Sequence, residues 1–193
     1  MHQYEVMFAG FGGQGIMTAG QLLAYAGIKE GKHVAWIPSY GPEMRGGTAY
    51  CTVVVSDLRI GSPIVTTPRC VCAFNRPSFD KFEPKVKPGG LLLVNSSLID
   101  VTSTRDDISK LYVPANEMAI VAGSPKSTNI IVLGAFVGAS GVVGIDTLRK
   151  VVREKLAAKA SLLDINLRLL DDGYGLTHRS EEHTSELQSR QVI

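Results

Sequence analysis

Val6-Met7-Phe8-Ala9-Gly10-Phe11-Gly12-Gly13-Gln14-Gly15-Ile16 runs from an apolar stretch through a glycine turn into a segment with helical periodicity. Ile16, Ala19, Leu23 and Ala26 recur at helical spacing and Gly31 provides a stop, so the stretch reads as strand, turn and helix. Glycines at 10, 12, 13 and 15 let the backbone take positive φ and approach a ligand closely. The first N–H groups of the following helix have no partner within it and carry the positive end of its dipole, which suits an anion. The same glycines also serve a tight strand-to-helix crossing that binds nothing.

Gly10, Gly12 and Gly15 fit the spacing G-x-G-x-x-G, which points to a dinucleotide on a Rossmann-type unit. Outward from the helix, His33 to Ile37 reads as the second strand. A nicotinamide site requires an acidic residue at its end to hold the ribose hydroxyls, whereas this strand ends in Pro38-Ser39. A phosphate-binding P-loop fails too, because no Lys-Ser or Lys-Thr pair follows Gly15. The loop Pro38-Ser39-Tyr40-Gly41-Pro42-Glu43-Met44-Arg45-Gly46-Gly47 carries more chemistry than a turn needs. Arg45, followed by Gly46-Gly47, is placed to meet a phosphate or a carboxylate, or else pairs with Glu43 at the surface.

Further along, Thr48 to Val55 reads as a strand, Asp57 to Gly61 as a hairpin turn and Ser62 to Thr66 as a short return strand. Val71 to Phe74 is a brief buried strand, Pro77 opens a short helix to Phe82, and Leu91 to Val94 has the unbroken apolar character of a central parallel strand. Asn95-Ser96-Ser97 either cap the next turn or place polar groups at the ligand edge of the sheet. Tyr112 to Pro114 forms a last strand and Ala115 to Val121 a short helix. The helix from Asn129 to Ser140 is apolar nearly all round, which requires burial against the sheet or against a partner chain. Asp146 opens an amphipathic helix through Lys155, and Leu162 to Leu170 makes the final helix.

This order predicts a single α/β domain, a Rossmann-like three-layer arrangement with a mostly parallel sheet and helices on both faces, over residues 1–175. Residues 176–193 read as a disordered or artefactual tail, because Arg179 to Ser189 lacks an apolar face and resembles the translation of a sequencing-adapter oligonucleotide. His178 and His183 in it receive no role. The formal charge of +2 is small and scattered, which excludes a nucleic-acid surface, and no apolar run reaches membrane-spanning length. With no signal-peptide layout at the N-terminus, a cytoplasmic protein is expected. Cys51, Cys70 and Cys72 have the wrong spacing for zinc, a redox pair or an iron–sulfur cluster and read as small buried apolar residues.

No nucleophile–base arrangement, zinc motif or paired-carboxylate motif occurs, and His2 and His33 stand alone, so no catalytic and no metal-binding residue is assigned. Two glycine-rich loops without catalytic machinery describe a domain that holds part of a ligand while another chain does the chemistry. Gly10 to Gly15, the loop Pro38 to Gly47, Gly61-Ser62-Pro63, Asn75 to Ser78 and Asn166 to Tyr174 together resemble, over residues 4–175, the gamma subunit of 2-oxoacid:ferredoxin oxidoreductases, the pyruvate/ketoisovalerate oxidoreductase catalytic domain family.

That resemblance implies a complex with alpha and beta subunits and a ferredoxin-like delta subunit. Thiamine diphosphate and iron–sulfur clusters would lie on partner chains, ferredoxin would be the electron acceptor, and the 2-oxoacid would be decarboxylated to an acyl-coenzyme A. The gamma chain, inactive alone, would contribute Gly10, Gly12, Gly13, Gln14 and Gly15 with Ser39, Tyr40, Gly41, Glu43, Arg45 and Gly46 to a shared coenzyme A site. The Glu-Met-Arg-Gly-Gly form of the loop looks most like the 2-oxoglutarate enzymes, with branched-chain 2-oxoacid and pyruvate enzymes as alternatives. A free-standing nucleotide-binding oxidoreductase and a non-enzymatic coenzyme-binding regulator are the rival readings.

Overall fold

The computed structural model describes residues 3–40, 48–157 and 160–189. Six strands form one sheet: β1 (Gln3–Phe11), β2 (His33–Tyr40), β3 (Thr48–Ser56), β4 (Cys70–Ala73), β5 (Leu91–Asn95) and β6 (Ser109–Val113). Their spatial order is β2-β3-β1-β4-β5-β6. β1, β4, β5 and β6 pair in parallel, while β3 runs against both of its neighbours, so it alone is reversed. The connections are α1 (Ile16–Lys29), α2 (Arg76–Phe82), α3 (Ala115–Val121), α4 (Thr128–Ser140), α5 (Ile145–Leu156) and α6 (Ala160–Ser189).

Alternation along β1 divides the core between the two faces. Tyr4, Val6 and Phe8 point to the face covered by α1, α3 and α4, whereas Met7 and Ala9 point to the face carrying α2, Ile99 and Ile108. Phe136 of α4 meets Tyr4 and Phe8 edge-to-face, each with ring centroids 5.8 Å apart. Burial of such a ring contributes about 1.5–3 kcal/mol.

The outer surface of α4 is covered by α6. A Cβ at Gly134 would stand 2.1 Å from the Leu170 carbonyl oxygen, and one at Gly173 2.2 Å from that of Ile131, so these glycines let the two backbones approach. The apolar helix is therefore buried within the chain, and its composition is no argument for a partner.

Two sequence expectations are corrected. Ser62 to Thr66 forms no strand, because both edges of β3 are already taken by β2 and β1 and a return strand has nothing to pair with. The last helix does not end at Leu170 but passes through Asp171-Asp172-Gly173-Tyr174-Gly175 and continues to Ser189, since Gly173 serves the contact with α4 rather than a stop. The three cysteines are free and buried, as their spacing suggested.

Candidate functional site: a donor-lined cleft at the carboxyl edge of the sheet

After β1 the chain passes to α1 on one face, whereas after β4 it passes to α2 on the other. The crevice where these connections diverge is where open α/β sheets bind ligands. Gly13 (φ 96°) and Gly15 (φ 75°) bring the glycine turn across it. Gly12 and Gly13 are exposed, and among the described residues nothing stands within 4 Å of where a Cβ on Gly13 would be. Gly15 precedes α1 without a side-chain cap, and neither α1 nor α4 carries an acidic residue in its first turn. Gly10 has a different part: it is buried, and a Cβ there would stand 2.6 Å from Gln14 Oε1. It makes room for the Gln14 side chain to fold back.

Gln14 Oε1 accepts from the Phe11 N–H at 2.7 Å and from Asn75 Nδ2 at 3.0 Å. Asn75 Oδ1 in turn accepts from the Ser78 N–H at 3.0 Å and caps α2, so one side chain ties the glycine turn to the next crossover. Asn129 Nδ2 donates to the Gly15 carbonyl at 3.1 Å and ties the start of α4 to the start of α1. Asn95, at the end of β5, donates to the Phe74 carbonyl at 3.2 Å and to Asn116 Oδ1 at 2.7 Å. Of the two roles its sequence left open, it takes the polar one at the sheet edge.

A cleft of about 150 Å³ lies among Gly13, Gln14, Asn116, Pro125, Lys126 and Thr128. Lys126 is the only charged residue lining it among the described residues. Donors and a cation without a facing carboxylate suit a phosphate or carboxylate group, so the residues present fit the phosphates of a coenzyme such as coenzyme A. Among the described residues no three His, Cys, Asp or Glu side chains gather as a metal site.

Of the sequence-predicted residues, Gly12, Gly13, Gln14 and Gly15 lie at this crevice. Ser39 and the exposed Tyr40 end β2 at the same edge of the sheet. They stand two strand spacings from β1, roughly 10 Å, outside the cleft. Gly41, Glu43, Arg45 and Gly46 lie outside the described residues. Sequence reading missed Asn116, Lys126 and Asn129; Asn116 carried a signal as an amide just beyond the end of β6, whereas Lys126 and Asn129, which follow α3, carried none.

The family described as "Pyruvate ferredoxin/flavodoxin oxidoreductase" matches residues 5–176. The ketoisovalerate oxidoreductase subunit VorA of Methanothermobacter marburgensis is 41% identical over 173 residues, covering 89% of this chain and 36% of that protein. The chain thus spans about a third of that relative's length. The solved gamma subunit of a keto/oxoacid ferredoxin oxidoreductase from Geobacter sulfurreducens superposes with a TM-score of 0.80 at 29% identity, over 91% of this chain and 99% of that one. A 2-oxoglutarate:ferredoxin oxidoreductase from Magnetococcus marinus, solved with 2-oxoglutarate, coenzyme A and succinyl-CoA bound, gives 0.85 at 25% identity, over 93% of this chain and 32% of that one.

Proposed function

The chain belongs to the pyruvate ferredoxin/flavodoxin oxidoreductase family, and we propose that it is the gamma subunit of a cytoplasmic 2-oxoacid:ferredoxin oxidoreductase complex. In this reading it supplies part of the coenzyme A site and no reacting group. The observation that carries it is the open glycine turn ahead of α1 beside a cleft lined by Gln14, Asn116 and Lys126, with no acid lining it among the described residues. The Arg45 loop, entered from the end of β2 at the same edge, supplies a further cation toward the coenzyme or the 2-oxoacid. Thiamine diphosphate and iron–sulfur clusters belong to partner alpha, beta and ferredoxin-like chains, where they supply decarboxylation and electron transfer. This chain's residues bind and orient the acyl acceptor.

The 41% identity to a ketoisovalerate enzyme subunit favours a branched-chain 2-oxoacid over the 2-oxoglutarate suggested by the loop, while the fit to a 2-oxoglutarate enzyme keeps that substrate in play. Substrate choice rests mainly with the partner chains. The test is reconstitution: alpha and beta chains with and without this one, assayed for 2-oxoacid-dependent dye reduction and acyl-coenzyme A formation across 2-oxoglutarate, ketoisovalerate and pyruvate. The expected outcome is acyl-coenzyme A formation that requires this chain and no turnover by it alone. Robust turnover by the lone chain would instead make it a free-standing oxidoreductase.

A further inference from the structure

Each of the four mutually parallel strands β1, β4, β5 and β6 is closed or followed by a side-chain amide: Gln14, Asn75, Asn95 and Asn116. Asn95 is fully buried, and its NH2 group is used on both sides, toward the Phe74 carbonyl and toward Asn116 Oδ1. Its own Oδ1 is buried without a hydrogen-bond partner among the described residues. Reversing this amide would lose both bonds and turn its oxygen against two acceptors, so its polarity is fixed.

The polarity of Asn116 follows from that of Asn95. With its oxygen engaged by Asn95, a half-buried Asn116 has its Nδ2 hydrogens left for the cleft it lines. Gln14 is arranged the same way, its Oε1 held by Phe11 N–H and Asn75 Nδ2 and its Nε2 left to donate. On the facing wall Lys126 is exposed and makes no ion pair among the described residues. At about 150 Å³ the cleft has room for one anionic group with a few waters rather than for a whole nucleotide.

Resting on the coenzyme reading above, we propose that this cleft is a phosphate subsite in which Asn116 Nδ2, oriented by the buried Asn95, joins Gln14 Nε2 and Lys126 on one phosphate of coenzyme A. Asn116 and Lys126 are binding residues. Asn95 is a positioning residue that acts through Asn116.

The assembled complex tests this by calorimetric titration with coenzyme A and with dephospho-coenzyme A, alongside steady-state kinetics and thermal unfolding. Asn116→Asp keeps an oxygen for Asn95 to donate to while turning the cleft-facing donor into an anion. It should weaken coenzyme A binding at least about tenfold and raise its KM, leaving kcat, the 2-oxoacid KM and the unfolding temperature in place. Lys126→Ala, at an exposed position, should weaken coenzyme A severalfold. A defect that shrinks with dephospho-coenzyme A assigns the subsite to the 3′-phosphate, and one that persists assigns it to the pyrophosphate; both support the subsite. In a double-mutant cycle, Asn95→Ala should weaken binding in the wild-type background and have no further effect on Asn116→Ala, whereas additive losses overturn the positioning role. Unchanged coenzyme A affinity in either Asn116→Asp or Lys126→Ala, with the wild-type complex binding normally, overturns the subsite alone. A wild-type complex that does not bind coenzyme A overturns the coenzyme reading and the subsite together.

Discussion

Gly15 sits at φ 75° ahead of α1, and an added Cβ would stand 2.6 Å from Asn129 Nδ2, the group that donates to its own carbonyl. Strain and clash act together there, so Gly15→Ala should lower the stability of the purified chain by about 2–4 kcal/mol in urea denaturation. Gly13→Ala meets only the left-handed φ, with open space around it, and should cost about 1–2 kcal/mol while blocking ligand approach. A comparable loss for the two would mean that the contact between the starts of α1 and α4 is not what holds Gly15. Arg45 gives a second residue-scale expectation: if it meets a phosphate or carboxylate in the complex, Arg45→Ala should weaken that ligand by about 2–4 kcal/mol, and Arg45→Lys should restore only part. Michaelis constants for coenzyme A and the 2-oxoacid in the reconstituted complex read this out, and unchanged constants would leave a surface pair with Glu43. The glycine turn was legible because glycine spacing is a local signal. The amides were not, because an Asn after a strand reads as a cap, and what makes Asn75 part of the crevice is a bond to Gln14 across 61 positions of sequence.

Between α4 and α6 the contact is made by missing side chains. Gly134→Ala would press a methyl against a helix-backbone carbonyl that has no rotamer to escape with, and the same holds for Gly173→Ala from the other side. Each should cost about 1–3 kcal/mol or more, at the upper end of overpacking effects because backbone must move. Gly175, also within α6, has nothing within 4 Å of its Cβ position among the described residues. Gly175→Ala should therefore be neutral or stabilising by about 0.5–1 kcal/mol, through helix propensity alone. Thermal unfolding of the three variants decides between a close backbone crossing and a loose one, which would make all three alike. The apolar run of α4 was readable as a helix that must be covered. Its cover was not, because Gly173 in Asp-Asp-Gly-Tyr-Gly looks like a helix stop until α4 is seen lying against it.

Across the whole molecule the sheet order places Cys51, Cys70 and Cys72 on one buried face, where all three are fully inaccessible. Burial pushes the Cys51 thiol up to about 12 and raises the Cys72 thiol in the same direction. In the unfolded chain these thiols titrate near 9, so from about pH 9 to 12 the folded protein keeps protons that the unfolded chain has released. Stability is unaffected by these groups below that window and falls through it, by up to about 1.4 kcal/mol per pH unit for each thiol. Urea midpoints measured at pH 8, 9.5 and 10.5 should decline accordingly, and at pH 8 a thiol reagent should label all three cysteines in one phase set by global unfolding. Labelling of one thiol ahead of the others would reveal local opening of the sheet. The sequence disclosed alternating strands and helices, hence the class of fold, but not which strand is reversed, since the β-branched residues of Thr48 to Ser56 mark a strand without giving its direction. That reversal has a consequence for how the protein can change. Because β3 runs back along β2, Tyr40 and Ala49 are ladder partners, so the segment 41–47 enters and leaves through one clamped gate. A closed gate makes that segment an exchangeable cassette: its length and lettering can be rewritten at little cost in chain entropy, without shifting the register of any strand. Those seven positions can thereby change while all six strands keep their pairing.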